Sequence, residues 1–233
     1  MQRRMWFALA LATVAAVPVL QAQDSRPGIA VLPFTNGGSY GQDKEDFAAL
    51  EKGLAGMLIS ELAQNPAARL VDREKIQDLL SEQNLGKDGR VDNATAAKVG
   101  KLVGARYMVM GNFVDLYGRF RVDARLVDTE TGEILKVVRS DPKLEKRDEM
   151  FKMLQSLAER LMAETKLPPL SSQQASAVKA RNVPTEALSY YSRALMYQDR
   201  GEKDKAAEFF SKALDVFPNY SEATEGLKKV KAG

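Results

Sequence analysis

The chain has 233 residues, with 34 Lys and Arg against 31 Asp and Glu, a formal net charge of +3 and 45% hydrophobic residues. This composition is typical of a folded globular protein and excludes a disordered or fibrous one. The chain contains no Cys and no His. Disulfides, thiolate zinc sites and cysteine nucleophiles are therefore excluded, and the commonest general base is missing. We predict a protein that is not an enzyme and that binds no metal and no cofactor.

The N-terminal segment has the pattern of a secretory signal peptide. Arg3 and Arg4 precede an apolar stretch that ends near Val17, and Ala22 supplies a small residue for cleavage. A transmembrane anchor is the alternative, but the stretch is shorter than the roughly 20 residues that a span needs. We predict a signal peptide over 1–22 and export to the periplasm. The mature chain is then nearly neutral, and we expect it to have no nucleic-acid partner and no transmembrane segment. Because the chain has no Cys, we expect no lipoprotein acylation.

The first part of the mature chain alternates short apolar runs with amphipathic helical patterns. An apolar run at 28–34 and a second at 68–72 predict strands that are buried on both faces. Helices are predicted from Glu45 to the break at Asn65-Pro66, after the capping residue Asp72, and from Asp92 or Asn93 to Val103.

The period then changes to two, which predicts a three-stranded antiparallel meander. Its strands are predicted at 105–116, 119–128 and 133–140, with a tight turn at Tyr117-Gly118. In the middle strand Phe120, Val122, Ala124 and Leu126 are expected to face inward, and Arg119, Arg121, Asp123 and Arg125 outward. A helix over 148–166 completes an α/β domain at 26–166, with helices on a mixed sheet.

A Pro- and Ser-rich segment without periodicity separates this domain from a helical C-terminal region. We predict a linker at 167–184 and helices from 185 to 233. Such a linker implies weak coupling, so the α/β domain is expected to fold without the C-terminal region.

Four stretches of the α/β domain resemble the CsgG family of curli-secretion components. They are IAVLPF at 29–34, the helix–strand–helix stretch at 57–83, VGARYMVMGNF at 103–113 and RLVDTETGEIL at 125–135. The resemblance covers about 28–138, and the amino-terminal domain of TolB is a looser relative in fold. It implies a CsgG/TolB-like fold and a role in curli assembly or secretion at the outer membrane. The chain departs from the family in having no Cys to acylate and no long hairpins to build a channel, since the meander turns at Tyr117-Gly118.

The C-terminal region resembles a tetratricopeptide (TPR) repeat in a 34-residue frame at 187–220. The signature residues are Tyr190, Ala194, Tyr197, Ala206, Phe210, Ala213 and Pro218, with a capping helix after them. The resemblance implies a protein-interaction module whose first helix presents Tyr190, Tyr191, Arg193 and Tyr197 to a partner. A lone repeat must also be covered by the α/β domain, by the segment at 175–180, by another protomer or by a partner.

Two further surfaces are candidates for binding. The outward Arg119, Arg121 and Arg125, together with Lys136 and Arg139, are predicted to form a basic stripe, which is either a docking face on the sheet or an ordinary solvated face. The loop residues Gly37, Gly38, Ser39 and Gly41 lie between a strand and a helix, where α/β folds bind phosphates, although the loop has neither GxGxxG nor the lysine of a P-loop. Its alternative interpretation is a flexible connection.

We therefore predict a periplasmic envelope or secretion assembly protein that is not an enzyme. Its expected partners are proteins of the outer-membrane or periplasmic machinery, or further copies of itself. The alternative is a periplasmic sensor that binds a small ligand or glycan at the glycine-rich loop.

Overall fold

The computed structural model of the chain describes residues 24, 26–41, 44–82, 91–140, 144–165 and 167–232. The predicted signal peptide lies outside the described residues. The strands are β1 (Gly28–Val31), β2 (Thr35–Asn36), β3 (Arg69–Leu70), β4 (Tyr107–Leu116), β5 (Arg119–Asp128), β6 (Ile134–Arg139) and β7 (Glu145–Lys146). The helices are α1 (Lys44–Leu62), α2 (Arg73–Glu82), α3 (Asn93–Leu102), α4 (Met150–Met162), α5 (Ser172–Ala180), α6 (Thr185–Asp199), α7 (Lys203–Val216) and α8 (Ser221–Ala232).

The strands form one mixed sheet in the order β3-β1-β4-β5-β6. β1 is parallel to both of its neighbours, β3 and β4, whereas β4, β5 and β6 are antiparallel. The short β2 extends the parallel part along β4, and β7 pairs with the start of β5. The mixed sheet with flanking helices confirms the predicted fold class.

Helices cover both faces of the sheet, and each face has its own hydrophobic core. On one face α1 and α4 pack on β1, β4 and β5 through side chains such as Leu54, Leu157 and Val122. On the other face α2 and α3 pack on β1 and on the first half of β4, with Ile76, Val99 and Met108 in the contact. Every residue of β1 is buried, as expected for a strand with helices on both sides.

The β4–β5 hairpin has the predicted turn. Ten residues of β4 pair with ten of β5, from Leu116 opposite Arg119 to Tyr107 opposite Asp128. Tyr117 and Gly118 have φ of 54° and 82°, the left-handed pair that a two-residue type I′ turn requires. The predicted alternation along β5 is confirmed, since Phe120, Val122, Ala124 and Leu126 are all buried.

The segment predicted as a linker contains a helix. Ser171 caps α5 with a capping box, in which its hydroxyl accepts from the backbone of Gln174 and the Gln174 side chain accepts from the backbone of Ser171. The lack of apolar periodicity has a physical reason, because no residue of α5 is buried. The predicted helix at 148–166 begins with a 3₁₀ turn at Arg147–Glu149 and continues as α4.

The last three helices stack as the repeat and its capping helix. Ala194, Ala206 and Ala213 are fully buried at the close crossing of α6 and α7, and Phe210 fills the space between α7 and α8. Pro218 follows directly on the C-cap of α7, Phe217. Tyr190 and Tyr197 of α6 lie against the ring of Phe209.

Candidate functional site

The outer face of α6 packs on α1 at very close range. Gly53 of α1 meets Ser192 of α6, and a Cβ on this glycine would overlap the Ser192 side chain. One turn further along α1, a Cβ on Gly56 would lie 3.0 Å from Leu195 Cδ1 and 3.1 Å from the Tyr191 hydroxyl. Two glycines therefore let two helices that are distant in sequence touch backbone to side chain.

Charged pairs surround this contact and join α6 to both α1 and α2. The guanidinium of Arg193 donates to the carboxylate of Asp46 through Nε, at 2.8 Å, and through Nη2. Tyr197 donates its hydroxyl to Glu45 Oε1 at 2.9 Å, and this hydrogen bond lowers the pKa of Glu45. In addition, Gln198 Nε2 donates to Glu74 Oε1 at 2.9 Å.

Two of the arginines in this junction are largely buried. Arg73, at the start of α2, donates through Nη1 to Asp199 Oδ1 at 2.8 Å, and both side chains are only 11% exposed. Arg181, at the C-cap of α5, lies 2.6 Å from Glu61 Oε1 and 2.7 Å from Glu222 Oε1. Burial raises the pKa of Glu61 in spite of the neighbouring guanidinium charge.

The repeat is therefore not weakly coupled to the α/β domain. The buried side chains of α1, α4, α6 and α7 belong to one continuous hydrophobic cluster. The expectation of weak coupling is wrong because α1 supplies the cover that a lone repeat requires.

The same contacts occupy the residues that were expected to bind a partner. Tyr191 and Tyr197 are buried, Arg193 is paired with Asp46, and the half-buried Tyr190 packs on Phe209. The four side chains are therefore not presented together to a partner, since α1 engages Tyr191, Arg193 and Tyr197, and α7 covers Tyr190. The sequence signal for this contact was the presence of Gly53 and Gly56 inside a helical pattern.

The glycine-rich loop has its backbone amides engaged within the protein. Gly37 donates to Phe113 O and Tyr40 to Asp115 O, both at 2.7 Å. The N–H groups of Gly38 and Ser39 donate to Asn36 Oδ1 at 3.0 and 2.9 Å. Gly41 has φ of 96° and lies against the ring of Tyr117. These contacts place the loop along the edge of β4 and leave no row of free amides among Gly37, Gly38, Ser39 and Tyr40 for a phosphate.

A different part of the sheet remains uncovered by the described helices. α2 and α3 reach Met110 of β4 and Val127 of β5, and beyond them this face of β4, β5 and β6 is open. Residues that pair across the strands share a face, so the register defines its members. We call this surface the open sheet face: Asn112, Val114, Leu116, Arg119, Arg121, Asp123, Arg125, Val137 and Arg139.

The open sheet face is basic with an apolar patch at its edge strand. Arg121 is paired with Asp123 at 3.1 Å, and Arg125 reaches Asn93 Oδ1 at 3.5 Å. Among the described residues no carboxylate pairs with Arg119 or Arg139, and both side chains are exposed. Val137 on β6 is 49% exposed. The predicted arginines, including Arg139, thus share one face with Val137. Lys136 does not, because it pairs with the buried-side residue Leu126 and binds Glu164 on the opposite face.

Two exposed tyrosines lie at the end of this sheet. Tyr117 at the β4–β5 turn is 80% exposed, and Tyr40 of the glycine-rich loop is 63% exposed. The backbones of the two residues are bonded, since Tyr117 N donates to Tyr40 O at 3.0 Å. Tyr117 has a positive φ, which is uncommon for a bulky residue because its side chain crowds the backbone. We call this pair the tyrosine tip.

The carboxylate of Asp115 fixes the backbone of the turn that carries the tyrosine tip. Asp115 is fully buried, accepts from Gly118 N at 2.8 Å through Oδ1, and lies 3.3 Å from Arg147 through Oδ2. Asp115 occupies an inward position on β4 opposite Phe120, where an apolar residue is the norm. That departure from the alternating pattern was the available signal.

In the part of the chain that the structure describes, no three acidic residues form a group that could hold a metal ion. Over the same residues, each helix is too short or too polar to cross a membrane.

Two family models match the chain. The model described as the curli production assembly/transport component CsgG matches residues 11–119, and the tetratricopeptide repeat model matches residues 187–220. The predicted order of a CsgG-like domain followed by a TPR repeat is confirmed, and the repeat has the predicted bounds. The first match begins inside the predicted signal peptide and ends at the start of β5, whereas the resemblance in the sequence extends over 28–138. No curated protein matches the chain.

Several solved structures share parts of the fold at low identity. The LpoB C-terminal domain from Escherichia coli is 19% identical with a TM-score of 0.38, over 49% of this chain and 80% of that one. TolB from Acinetobacter baumannii is 16% identical with a TM-score of 0.38, over 61% and 29%. A PelC dodecamer from Paraburkholderia phytofirmans is 14% identical with a TM-score of 0.34, over 61% and 89%. At TM-scores below 0.5 these likenesses carry no functional argument.

Proposed function

We propose that this protein is a non-enzymatic interaction protein of the bacterial envelope, exported to the periplasm, which docks an acidic protein on the open sheet face. The partner class is an outer-membrane or periplasmic assembly protein. The observation that carries the proposal is the group of Arg119, Arg125, Val137 and Arg139 on a face that no described helix covers.

The chemistry of this face favours a protein partner with carboxylates around an apolar centre. Tyr and Arg are enriched among the side chains that dominate binding energy, and exposed apolar side chains such as Val137 supply the area to be buried. Arg119 and Arg139 have no carboxylate partner among the described residues, so the carboxylates of an acidic partner would form ion pairs with them.

The repeat has a structural part in this proposal. Because α6 is held on α1 by the Gly53 contact and by ion pairs, the repeat stiffens the helical layer behind the sheet. A stiff domain presents its docking face already ordered, which reduces the entropy lost on binding.

Photo-crosslinking in the cell tests the proposal. Benzoylphenylalanine in place of Tyr117 is expected to give a discrete adduct with another protein, because this side chain lies at the exposed tip. The double variant Arg125→Glu/Arg139→Glu should reduce that adduct at least about tenfold, since like charges would face the acidic partner.

A matched double variant controls for the change in net charge. Lys203→Glu/Lys228→Glu changes two exposed lysines, one in the repeat and one in its capping helix, by the same total charge and should leave the adduct unchanged. Equal loss in both double variants, or no adduct from position 117, contradicts the proposal.

A further inference from the structure

A cavity of about 630 Å³ lies between α4, the end of α1 and α5. Its volume is in the range of small-molecule sites, about 300–1,000 Å³. The lining is mainly apolar, and the side chains that matter here are Leu62, Ala158, Met162, Leu167, Ala175 and Val178. The cavity is separate from both the glycine-rich loop and the open sheet face.

α5 covers this cavity without filling it. None of its nine residues is buried, and only Ala175 and Val178 on its inner side are half-buried. Polar contacts hold the cover at both ends: Asn65 Nδ2 donates to Pro168 O at 2.9 Å, and Gln155 Nε2 donates to Val178 O at 2.7 Å. A helix that is fixed at its ends over an unfilled apolar space has the form of a lid over a ligand site.

A buried hydrogen-bond acceptor lies in the wall of the cavity. The side chain of Glu61 is 1% exposed, and its Oε1 accepts from Arg181 at 2.6 Å. The second oxygen, Oε2, is buried and accepts no well-aligned hydrogen bond among the described residues, and the Gln155 side chain lies close enough to lower the pKa of this carboxyl. An unpaired buried acceptor is costly, so a ligand that donates to it would gain a hydrogen bond at a site from which water is largely excluded.

The charge balance around Glu61 favours a neutral ligand. Arg181 lies directly beside the Glu61 carboxylate, and it shares its guanidinium between Glu61 and Glu222. A ligand cation at Oε2 would lose its hydration beside the Arg181 guanidinium, whereas the other carboxylate of the lining, Glu159, is exposed to solvent. A neutral N–H or O–H group needs no counter-charge.

We propose that this cavity binds a neutral amphiphile with an apolar body and one N–H or O–H donor, the donor directed at Glu61 Oε2 and the body lying between α4 and α5. Fatty amides and monoacylglycerols have this chemistry.

The test uses the chain without its predicted signal peptide and the fluorescent probe N-phenyl-1-naphthylamine, an apolar molecule with one N–H group. We expect a saturable rise in fluorescence. Its N-methylated analogue lacks the donor, and we expect about fivefold weaker binding from the loss of one hydrogen bond. Equal affinity for the two probes would overturn the role of Glu61.

A matched pair of variants on α5 tests the location. Ala175→Phe places a ring in the cavity and should weaken the binding of both probes at least fivefold, while Ala177→Phe places the same ring on the exposed side of the helix and should change neither. Circular dichroism melts verify that both variants fold. No saturable binding, or equal effects of the two variants, overturns the proposal.

Discussion

Two surfaces of this molecule are rich in Tyr and Arg, but one is covered by another helix and the other is exposed to solvent. On the first helix of the repeat, Tyr191, Arg193 and Tyr197 face α1 and are paired or buried. On the open sheet face, Arg119 and Arg139 are exposed beside an apolar edge strand. Similar side chains therefore hold the repeat on the α/β domain in one place and remain exposed to solvent in the other.

The difference shows that the covering element, and not the residue type, decides whether a face is free. With its two internal glycines, α1 approaches α6 closely enough to cover its side chains. In contrast, α2 and α3 cover only the C-terminal end of β5, near Val127. We call the surface of α6 that packs on α1, formed by Tyr191, Ser192, Arg193 and Tyr197, the closed face.

The largest effect is expected from removal of the repeat. A chain that ends at Thr165 loses α6 from its contact on α1 and exposes the apolar surface around Gly53 and Gly56. We expect either the loss of cooperative melting or a midpoint at least about 10 °C lower by circular dichroism. A chain that ends at Tyr220 keeps α6 and α7 and should lose much less. Equal melting of the full chain and the chain ending at Thr165 would show that the closed face contributes nothing.

The second largest loss of stability is expected from adding one methyl group to α1 at Gly53. Gly53→Ala places a Cβ onto the Ser192 side chain, and we expect a loss of about 1–3 kcal/mol in the free energy of unfolding in urea. The gain in helix propensity, up to about 1 kcal/mol, opposes this loss. Adding Ser192→Gly should recover part of the stability. A more stable Gly53→Ala variant would mean that the two helices are further apart than described.

A smaller and pH-dependent effect is expected at Glu222. Burial by itself would raise the pKa of this carboxyl, but hydrogen bonds from Arg181 and Ser221 outweigh burial and hold the pKa below its ordinary value of 4.5. A lowered pKa stabilises the fold above about pH 4.5, and this stabilisation is lost as the pH falls through the folded-state pKa. Glu61, whose pKa is raised by burial, acts in the opposite direction.

Glu222→Gln should therefore cost about 1 kcal/mol at pH 7 and much less at pH 3, measured by urea unfolding. Glu225→Gln changes an exposed residue of the same helix and serves as the control. A stability difference that stays constant between pH 7 and pH 3 would contradict the account of this ion pair.

Much of the fold could be predicted because its signals are local. Alternation along 119–128 determines both the strand and its inward residues, and the signature spacing of the repeat determines its frame at 187–220. Asp92 was one of two predicted caps, and the structure shows it accepting from Thr95 N at 2.7 Å.

The remaining features depend on contacts between distant parts of the chain. Arg73 and Asp199 are 126 residues apart, and nothing in either local sequence predicts their pairing. α5 was missed because a helix without buried residues has no apolar period. The closed face was missed because Tyr and Arg on a repeat helix have the same pattern whether a partner or the chain itself covers them.

Thiol labelling tests the contrast between the closed and open faces most directly. The chain has no Cys, so Ser192→Cys and Val137→Cys each introduce a single thiol, one fully buried under α1 and one exposed on β6. In the folded protein we expect the thiol at position 137 to react with a maleimide at least about a hundredfold faster than the thiol at position 192, because reaction there requires local opening. Comparable rates at the two positions in variants that melt cooperatively would contradict the account, since the face of α6 would then be as open as the sheet.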